Sequence, residues 1–349
     1  MVASSSTVAT QHDNATARVG FGTAALGESC ANVVYMALEE GFRAFDTAEA
    51  DWWYDQAAVG RALEEFFSTK DDSVLDDECL DSEGQVCQAG TQPECGLQNL
   101  RVSTKIPPWS LTSTENIRRN AANSRRELVG FCRDEAMLAD NGIEIAKPFP
   151  LDIYYIHAPT CWKGWHPRCD DHPPLLPLRE SWLAMEAVVG LDYSARRIGL
   201  SNIRVEELVD LLTYIRERIA KAESSGAPPR IPDVVQAFAD PIQPADDLRR
   251  VCQENGIEFV SYSTLGTQHR NVVQNPVLMS PIVQHIAVKH ERSTAEVVLS
   301  WALHHNMGVI PRSSQRTHIR ELARLLNKEN AQFLDETDIH QIDSMKNTL

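Results

Sequence analysis

No apolar run in this chain approaches the roughly 18 residues that a membrane-spanning helix needs, and the first residues lack the charged-then-apolar order of a secretory signal. Both absences point to a soluble, cytoplasmic protein. The Ser/Thr/Ala-rich opening MVASSSTVATQHDNATAR reads as a disordered arm over residues 1–18, with an organelle address as the lesser alternative. Basic residues are scarce, 33 Lys and Arg against 49 Asp and Glu, for a net charge of −16. That balance excludes nucleic acid and anionic membranes as partners, because both need clustered cations to neutralise phosphates. The eight cysteines lack the short, regular framing of a secreted scaffold, so free thiols are expected. Paired C-x2-C knuckles are absent too. One loop gathers Cys161, His166, Cys169 and His172, but at no standard zinc spacing, so an ordinary loop is expected there and no metal.

Acidity concentrates in one place. Between residues 71 and 98 stand Asp71, Asp72, Asp76, Asp77, Glu78, Asp81, Glu83 and Glu94 without a Lys or Arg, which reads as a solvated insertion. Two further interruptions, near 131–150 and 158–176, replace periodicity with Pro, Gly, Trp and charge. Outside them, short β-rich runs recur: VGFGTA (19–24), AFDTAE (44–49), RVSTKI (101–106), DIYYIH (152–157), RIGLSN (197–202), VVQAFA (234–239), EFVSYS (258–263) and MGVIPRS (307–313). Between them lie segments such as 205–222 and 294–305, with apolar residues at three- and four-residue steps. Strand and helix in alternation imply parallel strands with right-handed crossovers, and eight such units imply an α/β fold closed into a (β/α)8 TIM barrel with long loop insertions, spanning 19–349. An open doubly wound sheet is the rival. Its support is GFGTAA, where Gly20, Gly22 and Ala25 make a G-x-G-x-x-A after a strand and Glu39 and Glu40 lie near the distance of a ribose-binding acid.

In a barrel the chemistry belongs at the C-terminal strand ends. Asp46, Lys105 and His157 sit at three predicted strand ends, and Tyr54 follows the second strand. Singly each has an ordinary structural role: turn, snorkelling amine, core histidine, packed ring. Together they make a proton-transfer site, in which a buried ammonium lowers a phenol pKa, a carboxylate keeps the ammonium charged and an imidazole bonds a carbonyl oxygen as its charge grows.

On these segments the chain resembles the aldo-keto reductases, from about Arg18 to Leu326. GFRAFDTAEADWWYDQAAVGRAL is similar to the family segment that carries its Asp and Tyr, STKI to that of its Lys and DIYYIHAP to that of its His. The resemblance implies a TIM-barrel, NADP-dependent oxidoreductase reducing a small-molecule carbonyl, with Tyr54, Asp46, Lys105 and His157 as its tetrad. It further implies Ser201, Asn202 and Gln236 around the nicotinamide carboxamide, with Thr23 beside the cofactor. By the same resemblance Tyr262 is expected to stack on nicotinamide, Ser263 and Leu265 to approach the pyrophosphate, and Arg312 and Ser313 to meet the adenosine 2'-phosphate. A cofactor-binding barrel that senses rather than catalyses is the alternative of another class.

Several positions depart from the family pattern. Two extra residues precede Val59-Gly60, so that Trp53 falls by counting where Tyr is expected, and a one-residue shift restores Tyr54, the only Tyr in that loop. His318 and Leu322 replace a usual Arg and Asn, which leaves Arg316 or Arg320 as compensating cations and NADH use open. Ala24 and Ala158 stand where the family has bulky Trp walls, with Trp52, Trp53, Trp109, Trp162 or Trp165 available to replace them. The chain ends without the long closing tail of many relatives, so an open pocket built by the 158–176 loop is expected.

Overall fold

In the computed structural model, the described residues are 18–69, 99–131, 133–138, 144–170, 175–221, 226–269 and 272–348. Residues 1–17, the whole acidic insertion over 70–98, and His172 lie outside them. The strands are β1 (Phe21–Gly22), β2 (Ala44–Asp46), β3 (Arg101–Ile106), β4 (Arg133–Leu138), β5 (Glu144–Pro148), β6 (Leu151–Ile156), β7 (Ala195–Ser201), β8 (Val234–Phe238), β9 (Glu258–Tyr262) and β10 (Met307–Val309). Eight of them form one parallel sheet in the order β1-β2-β3-β6-β7-β8-β9-β10. A parallel bridge from Val19 to Val309 joins its two edges. The Gly20 amide donates to the Val309 carbonyl at 2.8 Å and the Val309 amide to that of Arg18 at 2.8 Å. This seam makes the sheet a barrel and overturns the open-sheet rival. Arg18, the last residue of the expected arm, already belongs to the seam.

All eight expected strands are present, each within the stretch read from sequence or a residue or two beyond it. The helices follow from their patterns as well, with Val205–Ala220 and Thr294–His304 matching the periodic segments. Ser293 accepts from the Glu296 amide while Glu296 reaches back to the Ser293 amide, a reciprocal cap that starts the second of these helices. The 131–150 stretch, read as a surface insertion, contains β4 and β5, an antiparallel pair separate from the barrel sheet.

Alternation along the strands sorts side chains into two environments. Tyr154 and Ile156 of β6 face outward into the layer shared with the helices, and Ile153 and Tyr155 face inward with Val234, Val260 and Ile310. Beneath this inner layer Arg197 donates to Asp152 at 2.8 Å, both buried. Above it lie Asp46, Lys105 and Gln236. Gly22 lets the seam close: a Cβ there would stand 2.8 Å from the Ile310 carbonyl oxygen. Among the described residues no helix is long and apolar enough to cross a membrane.

Candidate active site

At the C-terminal strand ends a groove of about 900 Å³ opens over the inner layer. Twelve of the thirteen residues named from sequence line it: Thr23, Asp46, Tyr54, His157, Ser201, Asn202, Gln236, Tyr262, Ser263, Leu265, Arg312 and Ser313. The thirteenth, Lys105, lies under the floor at 1% exposure.

The floor is built by continued pairing of β2 and β3. The Thr47 amide donates to the Ser103 carbonyl at 2.9 Å and the Glu49 amide to that of Lys105 at 3.0 Å, which sets Asp46 and Lys105 side by side. The Lys105 ammonium donates to Asp46 Oδ1 and, at 2.8 Å, to the Thr47 carbonyl. Gln236 Nε2 donates to Asp46 Oδ2 at 2.9 Å, so both carboxylate oxygens are engaged. Thr23 hydrogen-bonds the Asp46 backbone carbonyl at 3.0 Å.

Tyr54 and Trp53 compete for one role in the sequence, and the structure separates them. The Trp53 amide and the Tyr54 amide both reach the Ala50 carbonyl at 3.0 Å, and the Ala25 amide ties the turn down through the Trp53 carbonyl at 2.7 Å. This turn holds the half-buried Tyr54 ring with its centroid 5.6 Å from the Lys105 ammonium and 6.0 Å, nearly edge-on, from the His157 ring. Trp53 is 47% exposed at the rim.

Burial first, then the Asp46 carboxylate and Tyr262, push the Tyr54 phenol above its ordinary range, with Arg312 pulling the other way. Burial lowers the Lys105 amine and Asp46 opposes that shift. Burial and the Lys105 charge hold His157 well below the usual imidazole range, so it is neutral. Its Nδ1 is buried without a partner among the described residues, a polar atom for a ligand to satisfy.

Along the groove, Asn202 is fixed on three sides: its amide donates to the His157 carbonyl at 2.9 Å and to Ser201 Oγ at 3.2 Å, and it accepts from the Tyr262 hydroxyl at 2.6 Å. Asn202 and Ser263 both have φ near +50°, at +53° and +52°. Backbone strain of this kind gathers at functional sites. Arg312 is exposed on the groove and has no carboxylate partner among the described residues. Arg316 and Arg320, the compensating cations of the sequence reading, are engaged elsewhere: Arg316 with Glu39 at 2.7 Å, and both with Glu40 at 3.1–3.3 Å. The same pairs remove Glu39 and Glu40 from any ribose-binding role.

The 158–176 loop supplies Trp162, Lys163, Gly164 and Trp165 to the wall, and Trp52 and Trp53 complete the rim. Trp109 lies behind this wall, buried. Cys161 and Cys169 are joined in a disulfide. This corrects the expectation of free thiols at that pair and removes both from any metal-ligand set, although Cys30 and Cys252 are free, as expected, and lie buried.

Sequence reasoning passed over two features. Gln268 donates to Ser263 Oγ at 3.1 Å inside the groove, and its place in the loop after β9 was the available signal. Glu49, three residues past Asp46, lies outside the groove and accepts from the Tyr154 hydroxyl at 2.7 Å and from Ser124 at 2.8 Å.

The profile of the Aldo/keto reductase family matches residues 18–347. The chain belongs to that family. Among curated proteins it is similar to a 4-dihydromethyl-trisporate dehydrogenase from Mucor mucedo, 26% identical over 334 residues covering 91% of this chain and 86% of the relative. Aldose reductase B from Dictyostelium discoideum is 27% identical over 346 residues, 95% of this chain and 89% of its own. An NAD(P)H-dependent D-xylose reductase from Aspergillus niger is 27% identical over 325 residues, 87% and 83% of the two chains. Among solved structures, a Bombyx mori aldo-keto reductase in complex with NADP superposes with a TM-score of 0.65 at 21% identity, covering 95% of this chain and 89% of that one. The aldose reductase from Schistosoma japonicum gives 0.64 at 20%, with the same coverage. These two likenesses establish the α/β barrel of this aldo/keto reductase family member.

Proposed function

We propose that this chain reduces an aldehyde or ketone to the alcohol, with NADPH as the reductant and Tyr54 as the general acid. The observation that carries the reading is the convergence of Tyr54, Lys105, Asp46 and His157 at the floor of a groove whose walls present the residues expected to hold a dinucleotide. Those walls fit such a group: a cation without a carboxylate partner, Arg312, stands on the groove, and the prearranged Ser201, Asn202 and Gln236 amide and hydroxyl groups stand near the floor.

In this reading Asn202, Ser201 and Gln236 orient the nicotinamide carboxamide, and Tyr262 packs against the ring. Thr23 lies beside the cofactor, Ser263 and Leu265 border its pyrophosphate, and Arg312 and Ser313 take the adenosine 2'-phosphate. Bound there, the reduced nicotinamide supplies a hydride. Neutral His157 donates a hydrogen bond to the substrate carbonyl oxygen, stabilising the charge that develops on it. Tyr54 gives that oxygen its proton. Asp46, itself held by Gln236, and the Thr47 carbonyl hold Lys105, which keeps a positive charge beneath the ring. With Arg316 and Arg320 engaged by Glu39 and Glu40, preference for NADPH over NADH rests on Arg312.

The deciding experiment is NADPH oxidation by the purified protein against aromatic, aliphatic and sugar aldehydes and quinones, beside a Tyr54→Phe variant. Turnover lost in the variant supports the reading. Cofactor binding with no turnover across the panel overturns it in favour of a sensing barrel.

A further inference from the structure

The segment from Cys161 to Cys169 brings a stack of rings to the reactive end of the groove. Trp162 and Trp165 lie face to face, 3.9 Å between centroids and 5° from parallel. Trp165 meets the His157 ring edge-on at 5.3 Å and 88°, and the buried Trp109 ring at 5.5 Å. Next to it His166 stacks on Trp109 at 4.4 Å. Trp165 therefore stands between the imidazole that faces the substrate carbonyl and the solvent, where it meets whatever the carbonyl carries.

Apart from these ring contacts, most of the bonds that fix this segment are local to it. Gly164 occupies the left-handed region at φ +78°, with nothing near the position a Cβ would take, and Trp162 is 47% exposed. The local hydrogen bonds are Trp165 N to Trp162 O at 3.3 Å, Cys169 N to His166 O at 2.8 Å, Asp170 N to His166 O at 3.2 Å, Arg168 N to His166 Nδ1 at 3.1 Å and Gly164 N to Asp170 Oδ1 at 2.9 Å. Cys169 is the anchored end, buried against Ala50 and Trp109, and the disulfide ties Cys161 to it across a separation of eight residues. Closing a loop removes alternative conformations. Here the conformations removed are those in which Trp165 leaves His157.

We propose that Trp165 is the specificity-determining residue of this site, favouring carbonyl compounds with a planar aromatic body, and that the Cys161–Cys169 disulfide is the positioning element that holds it in place. The selectivity is accordingly thiol-sensitive. A dithiol reductant passes two electrons and two protons to the Cys161–Cys169 bond, which becomes two thiols while the reductant closes its own disulfide. The inference rests on the carbonyl-reductase reading above for its catalytic part, and on ring geometry alone for its binding part.

The test compares 2-naphthaldehyde with propanal on four forms of the full chain: untreated, dithiothreitol-reduced, Cys161→Ser/Cys169→Ser, and Trp165→Ala. The kcat/KM ratio of the aromatic to the aliphatic substrate is expected to fall about tenfold in the last three, chiefly through KM, as the loss of one aromatic stack implies. Reoxidation of the reduced protein restores it. The double variant separates this bond from reduction elsewhere in the chain. A ratio unchanged by reduction and by Trp165→Ala overturns the proposal, as does alkylation mapping that finds Cys161 and Cys169 as free thiols in untreated protein. Naphthaldehyde binding, followed by tryptophan fluorescence in the presence of NADP+, is read in parallel. If no form turns over either aldehyde, the reductase reading fails by itself. Binding then decides the inference: affinity about tenfold weaker in the three altered forms supports it, and equal affinity overturns it.

Discussion

Lys105 and Asp46 form a closed ion pair beneath the candidate active site, with the ammonium almost fully buried and the second carboxylate oxygen occupied by Gln236. A buried charge without its partner is costly, whereas removal of both charges is far less so. Asp46→Asn is therefore expected to destabilise the fold by about 3–5 kcal/mol, and Asp46→Asn combined with Lys105→Met by much less. Urea denaturation of the two single variants and the double variant checks this, and additive losses would contradict a closed pair.

Tyr54 and Trp53 make a second discriminating pair. Tyr54→Phe keeps the ring and removes the proton, so kcat is expected to fall about 10²- to 10⁴-fold while affinity for NADPH stays within about twofold. Trp53→Phe, at the rim, keeps most of kcat. Steady-state kinetics with a cofactor titration reads both, and the reverse ranking would move the proton donor off Tyr54.

Cofactor preference separates Arg312 from its neighbours. Arg312→Ala is expected to raise KM for NADPH about tenfold and leave that for NADH unchanged, the loss of one charge-assisted contact. Arg320→Ala, which breaks an exposed pair with Glu40, leaves both KM values in place. Equal effects of the two substitutions would place the phosphate elsewhere.

Glu49 gives the stability a pH dependence. Burial pushes its carboxyl from 4.5 up to about 7, against the hydrogen bonds from Tyr154 and Ser124. For an acid with a raised folded-state pKa, the contribution is present in full below the unfolded value and is lost as pH rises through the folded one. The wild-type chain is thus expected to lose roughly 1–3 kcal/mol between about pH 5 and 8 that Glu49→Gln retains. Denaturant midpoints across that range would show parallel curves if Glu49 titrated normally.

The barrel was legible because its signals are local. Each strand carries its own β-rich run and each helix its own period, and the seam adds nothing that contradicts them. The tetrad positions were legible for a related reason, since the strand-end rule turns sequence position into place. Contacts between distant segments were not. Arg316 and Arg320 look like free cations until Glu39 and Glu40 are brought beside them, and Cys161 looks like a thiol until the loop folds back on Cys169. The β4–β5 pair was hidden by its composition, in which charge and Gly interrupt alternation. The burial that raises the Tyr54 phenol comes from the turn closing over it, which the sequence does not show.

The Val19–Val309 seam also shapes how the molecule is made. The two strands it joins are the first and last of the sheet, so a nascent chain emerging from the ribosome carries β1 with one edge unpaired until nearly everything downstream has been synthesised. Through that interval the incomplete barrel is a curled sheet with open amide edges, which invite pairing with another such chain. Contacts so remote in sequence also form late and slowly. The period of greatest hazard for this protein is therefore translation, and once the seam closes the barrel sheet has no edge left to defend.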